Sequence, residues 1–242
     1  MRATHSHLTT SLLVAAGSAL LSPLAQASTV FVFSDTDPAS MADPAPAHPL
    51  DDTGIGGFMQ ATDSESGQLV TLTTVDIFGY SEGSFSPTAA SDGAAHTLNI
   101  RNDAVAINSE FNAAFFSNEE RNFQPREGWE FDFDSDVIFT SLEFESWSNG
   151  DTNARFEITS AAFAPVTILE SDLSGSDFYT FESGLVVPAG TSVTITMQAT
   201  STTANENTVR IESMTVVAIP EPSIVMLGLL GLPLVCRRRR QH

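Results

Sequence analysis

Between Trp129 and Asp134 the chain alternates large apolar side chains with carboxylates: Trp129, Phe131 and Phe133 on one parity, Glu130, Asp132 and Asp134 on the other. A period of two sorts these sets onto opposite faces of a strand, whereas a helix of 3.6 residues per turn would scatter them round its circumference. The same scheme returns in 192–198, with Val193, Ile195 and Met197 on one side and Thr194, Thr196 and Gln198 on the other. It returns again where Leu142 and Phe144 alternate with Glu143 and Glu145, and Phe156 and Ile158 with Arg155 and Glu157. No stretch between the two ends sustains a helical apolar period over three turns. The expected fold is therefore all-β, a two-sheet β-sandwich of the jelly-roll or Ig-like kind, with one face of each strand in the core and the other in water. A chain of 242 residues is long enough to bury such a core.

Finer features follow from parity and turn chemistry. In 69–80 the apolar positions shift from Val70 and Leu72 to Val75 and Ile77, which predicts a bulge or bend near Thr73. Residues 30–33 are apolar on both parities and predict a central strand, and 209–217 reads as the strand that closes the sheet. Turns are expected at Gly54-Ile55-Gly56-Gly57, Ser148-Asn149-Gly150-Asp151 and Pro188-Ala189-Gly190, and a long Pro-rich loop over 35–52. There is no second domain and no repeat of fixed period.

Both ends carry a different composition. Arg2, two short apolar runs over 12–16 and 19–24, and the small residues Ala25 and Ala27 flanking Gln26 make a secretory signal peptide over 1–27, with the mature chain expected to start at Ser28. At the other end, Pro220-Glu221-Pro222 precedes thirteen apolar residues, Ile224 to Cys236, and then Arg237, Arg238, Arg239 and Arg240. As a helix that segment spans about 20 Å, short of the roughly 30 Å hydrocarbon core, so it is a marginal transmembrane helix that snorkelling arginines would complete. The positive-inside rule puts the arginines in the cytoplasm and residues 28–218, the sandwich domain, on the outer face.

The segment 219–242 resembles the PEP-CTERM sorting signal of Gram-negative envelope proteins. The resemblance covers only these last residues, with Ile219 where Val is frequent and Pro233 late in the span. It implies that Pro220, Glu221 and Pro222 form the recognition element for a membrane protease, exosortase. Arg237, Arg238, Arg239 and Arg240 would be the membrane stop. It further implies an exported protein, tethered for a time to the inner membrane and then passed to the cell surface or the extracellular matrix.

Charge narrows the remaining choices. The chain has 30 acidic residues, 10 arginines and no lysine. With the ends set aside only Arg101, Arg121, Arg126, Arg155 and Arg210 face nearly all of those acids. Such a body cannot neutralise a phosphate backbone, so nucleic acid is excluded as a partner, and the lack of lysine removes the Walker A loop and Lys-based covalent catalysis. Cys236 is the one cysteine and lies in the apolar tail, so the body has neither disulfides nor thiolate metal sites.

Candidate chemistry is sparse. Asp132, Asp134, Asp136 and Glu143 stand at positions 1, 3, 5 and 12 of an EF-hand loop, but Val137 occupies the position that needs Gly, and the flanks alternate as strands. The three aspartates are kept as candidate ligands of a structural calcium at a strand end. Asp35 and Asp37, or Asn149, Asp151 and Asn153, could equally supply oxygens. His48 and His96 read as solvated loop residues, and no Gly-x-Ser-x-Gly elbow is present. Trp147 falls out of the Leu142 and Phe144 parity and is a candidate sugar-stacking platform, with a core role as the alternative. These features point first to a non-enzymatic envelope or matrix protein processed by signal peptidase and exosortase. The alternative is a calcium-assisted carbohydrate-binding module for exopolysaccharide, and a glycosidase or lyase would need two carboxylates across a cleft.

Overall fold

The computed structural model describes residues 28–33, 49–50, 52–64, 67–81, 86–101, 104–108, 123, 126–145, 147, 155–174, 177–198 and 209–220. Thirteen strands follow one another: β1 (Thr29–Val32), β2 (Phe58–Thr62), β3 (Leu69–Gly79), β4 (Thr88–Ala89), β5 (Thr97–Arg101), β6 (Ala104–Asn108), β7 (Gly128–Phe133), β8 (Val137–Glu145), β9 (Arg155–Ser160), β10 (Phe163–Leu169), β11 (Phe178–Val187), β12 (Val193–Gln198) and β13 (Arg210–Ala218). They form two antiparallel sheets, in the order β11-β8-β13-β6-β5 with β1 also on β13, and β10-β9-β12-β7-β3-β2 with β4 also on β3. From β6 onward the chain passes back and forth between the sheets, staying in one sheet only for the β9–β10 pair.

The sheets pack face to face through aromatic side chains. Phe31 meets Phe133 at 6.0 Å between ring centroids, Phe33 meets Trp129 edge-on at 5.7 Å, and Phe144 meets Phe156 at 5.1 Å. The inward parity read from the sequence is the buried one in β7, β9 and β12, where Trp129, Phe131, Phe133, Phe156, Ile158, Val193, Ile195 and Met197 all lie in the core. With no disulfide in the body, apolar burial at roughly 25 cal/mol per Å² is the main source of stability.

The predicted irregularity in 69–80 is a bulge: β3 pairs with β7 at Thr74↔Phe131 and then at Asp76↔Glu130, leaving Val75 as the extra residue. It falls two residues later than Thr73, and Thr74 rather than Val75 takes the last inward place before the shift, its hydroxyl accepting from Trp129 Nε1 at 3.2 Å. Two other expectations are corrected. Residues 30–33 do not form a central strand: β1 pairs with β13 alone, Phe31 and Phe33 point inward, and Val30 and Val32 remain 45% exposed on the outer face. Strand β13 does not close a sheet but lies inside one, with β8 along one side and β1 and β6 along the other.

Candidate functional site

One end of the sandwich gathers two turns and the point where the chain leaves. Residues 134–136 carry the chain from β7 to β8, and residues 188–192, which include the turn at Pro188, Ala189 and Gly190, carry it from β11 to β12. The N–H of Ala189 donates to Asp136 Oδ1 at 2.8 Å, and that of Gly190 to the Phe133 carbonyl at 2.8 Å. The N–H of Ile219 donates to the Asp136 carbonyl at 2.8 Å, and the next residue, Pro220, is exposed. Ile219 and Pro220 are the last described residues, so the described part of the body reaches the first residue of the Pro-Glu-Pro triplet. Of the residues expected to serve in sorting and processing only Pro220 is described. Ala25, Ala27, Glu221, Pro222, Arg237, Arg238, Arg239 and Arg240 lie outside the described residues, as do His48, the turn at 148–151 and most of the loop over 35–52.

The candidate calcium ligands take separate places. Asp134 Oδ1 accepts from the Thr71 N–H at 2.8 Å and from Ser135 Oγ at 3.1 Å, fastening the end of β3 to the turn. Asp136 holds Ala189, as above, and Asp132 stands on the outer face of β7 opposite Thr73. Glu143, which the EF-hand spacing would bring to the same ion, lies in β8 and accepts from Ser213 Oγ at 2.9 Å. The carboxylates follow strand geometry rather than a loop wrapped round a cation. Among the described residues no three His, Cys, Asp or Glu side chains are grouped to hold a metal ion, which removes the geometric ground for a centre built from Asp132, Asp134 and Asp136.

Partial burial, and then the neighbouring Asp134 and Glu130, raise the pKa of Asp132 above its ordinary 3.8. A carboxyl whose folded pKa is raised favours the folded state below the ordinary value and loses that contribution as pH climbs through the raised one. Asp132→Asn should therefore raise the melting temperature at pH 7 by about 1 °C, screened as a partly solvated group is, and change nothing at pH 3. A melting curve unaltered at pH 7 contradicts this. Millimolar calcium that stabilised the native chain but not the variant would restore a cation to this strand.

Trp147 is 4% exposed and packs edge-on against Phe144 at 5.0 Å and Phe156 at 5.4 Å. Its departure from the strand parity turns it into the core, so it offers no open platform for a sugar. His96 is also corrected, from a solvated loop residue to one that is 2% exposed.

His96 belongs to a buried polar group at the opposite end of the sandwich, which sequence reasoning missed. Its Nε2 lies 3.2 Å from Thr88 Oγ1, which lies 2.8 Å from Ser81 Oγ. Tyr80 and Glu127 are buried nearby, and burial, followed by the Glu127 charge, raises the Tyr80 phenol above its ordinary value. Asp76, also buried, accepts from the Ile77 N–H at 2.8 Å, the Ser91 N–H at 3.1 Å and Ser91 Oγ at 2.5 Å. The Val75 bulge turns Asp76 to the outer side of its sheet, where the 3-10 turn Ala90–Asp92 covers it. This carboxylate works as a latch. Asp76→Ala should cost about 2 kcal/mol in urea unfolding and speed amide exchange over 88–96 before the core strands respond. Uniform exchange changes across both sheets would contradict a local latch.

No family model, curated protein or solved structure matches this chain significantly.

Proposed function

We propose that the protein is a non-enzymatic component of the cell envelope or extracellular matrix. It is a jelly-roll domain exported by its signal peptide, held at the inner membrane by its tail, and sorted by an exosortase acting near Pro220, Glu221 and Pro222. The observation that carries this reading is the agreement of the two ends with the exit of the body. Among the described residues the last backbone bond reaches Ile219, and Pro220, the first residue of the triplet, is exposed, which supports access of a membrane protease to the chain there. The jelly-roll assignment rests on strand order. β6-β13-β8-β11 in one sheet and β7-β12-β9-β10 in the other reproduce the alternation of two Greek keys wound over a sandwich, with β1 to β5 as additions at its borders. The many acids of the exterior keep such a domain soluble and draw divalent cations to it without a dedicated site. The exopolysaccharide-binding alternative loses its aromatic platform with the burial of Trp147.

Mass spectrometry of the mature protein tests the sorting step. A chain that begins at Ser28 and ends near Pro222 is expected, and truncation after Ile219 should abolish tethering. Intact protein ending at His242 in a soluble fraction, or a reporter after His242 that faces outward, overturns the proposal.

A further inference from the structure

We propose that the outer face of the β1-bearing sheet, at the end where the chain exits, rests on the outer leaflet of the bilayer while the tail is inserted. The inference builds on the tethered reading above and adds a docking surface to it. In β11, β8 and β13 the residues Val186, Ile138 and Val217 stand side by side on that face, in register Val186↔Ile138 and Val217↔Ile138. Val30, opposite Thr215, lies on the diagonal from Val217, and Val32 continues along β1. Val186 is 53% exposed, and with Val30 and Val32 it puts three large aliphatic side chains in solvent on this face. The opposite end of the same face is charged, with Glu143, Glu145 and the Arg210 to Glu145 ion pair at 3.0 Å. The exit half of the face is thus apolar at Val186, Ile138, Val217 and Val30, while Val32 lies in the row of Ser213 and Glu143, where the ionic half begins.

The exit supplies the occupant. Only Glu221, Pro222 and Ser223 separate Pro220 from the apolar segment that starts at Ile224. At about 3.5 Å per residue the exit end cannot stand more than roughly 14 Å from the start of the span. The headgroup layer takes up about 5–8 Å of that distance, so the exit end stays within roughly 10 Å of the lipid surface and the domain can settle on it without straining the link. The tip itself presents Asp134 and Asp136, which favour water, so the valine row beside the tip is the surface that gains from lying at the interface.

The test uses the full chain carrying Cys236→Ser, in phosphatidylcholine vesicles. An environment-sensitive dye is attached at Val186→Cys or, at the same end on the outer face of the other sheet, at Leu69→Cys. Nitroxide-bearing lipid should quench the dye at 186 several-fold more than the dye at 69, and emission at 186 should shift to the blue. Equal quenching at both positions on a chain that floats with the vesicles overturns the docking face and leaves the tether standing. Failure of the chain to float overturns the tether and the docking face together. Shielding at 186 that grows with protein concentration in the absence of lipid assigns the face to a second copy of the chain, and overturns the bilayer as its partner.

Discussion

Trp129→Ala is expected to remove about 3–5 kcal/mol of the stability of the domain, a large share of the roughly 5–15 kcal/mol that a domain commonly has. The ring is fully buried at the start of β7. It meets Phe131 at 4.7 Å and Phe33 at 5.7 Å, and its Nε1 donates to Thr74 Oγ1 at 3.2 Å. Each contact ties down a different element. Phe33 follows β1 and its N–H donates to the Glu212 carbonyl at 2.9 Å in the facing sheet, while Thr74 stands at the bulge of β3. Truncation to Ala leaves a cavity between the sheets and an unpartnered hydroxyl beside it, and no disulfide limits the damage. Trp129→Phe separates the two terms, since it keeps most of the aromatic contact and removes the donor, for a loss of about 1–2 kcal/mol. Urea unfolding of both variants measures this. A Trp129→Ala loss near 1 kcal/mol would mean that the sheets close over the gap or that the ring is not at their interface.

The elements legible in the sequence are those whose two faces meet different solvents. β7, β9 and β12 each set apolar residues against Glu, Asp, Thr or Gln, so the period of two survives and the inward set can be named in advance. The bulge in β3 was legible for the same reason, because an extra residue reverses a parity that is otherwise strict. Where the outer face is itself apolar the signal fails: Val30 and Val32 imitate a doubly buried strand although they stand in solvent. β10 and β11 were not anticipated. Pro165 interrupts the first, where pairing with β9 shifts between Phe163 and Val166, and Gly184 interrupts the second, where pairing with β8 shifts between Thr180 and Leu185. Asp76 and His96 were illegible because a polar residue is buried by what folds over it. The Ala90–Asp92 turn over Asp76 leaves no mark on the strand that carries the carboxylate. The triplet proposed as a sorting signal is a linear pattern, so reading it draws on no tertiary information.

Gly184→Ala should cost about 3 kcal/mol. Two effects combine. Gly184 has φ +64°, where any Cβ is strained, and a Cβ there would overlap Ile138 Cγ2. Ile138 cannot swing aside cheaply, because it is β-branched and held in β8 between β11 and β13, with Val186 and Val217 at its flanks. Gly56 provides the comparison: its φ is +82° and nothing lies within 4 Å of the Cβ position. Gly56→Ala should therefore show the backbone strain alone, about 1 kcal/mol. The excess at Gly184 measures how closely β11 presses on β8. Ile138→Ala removes the obstructing methyl, so in its presence Gly184→Ala should fall back towards the Gly56→Ala value. If instead the two changes add without coupling, the bulge of β11 does not bear on Ile138, and the cost at Gly184 belongs to the backbone alone.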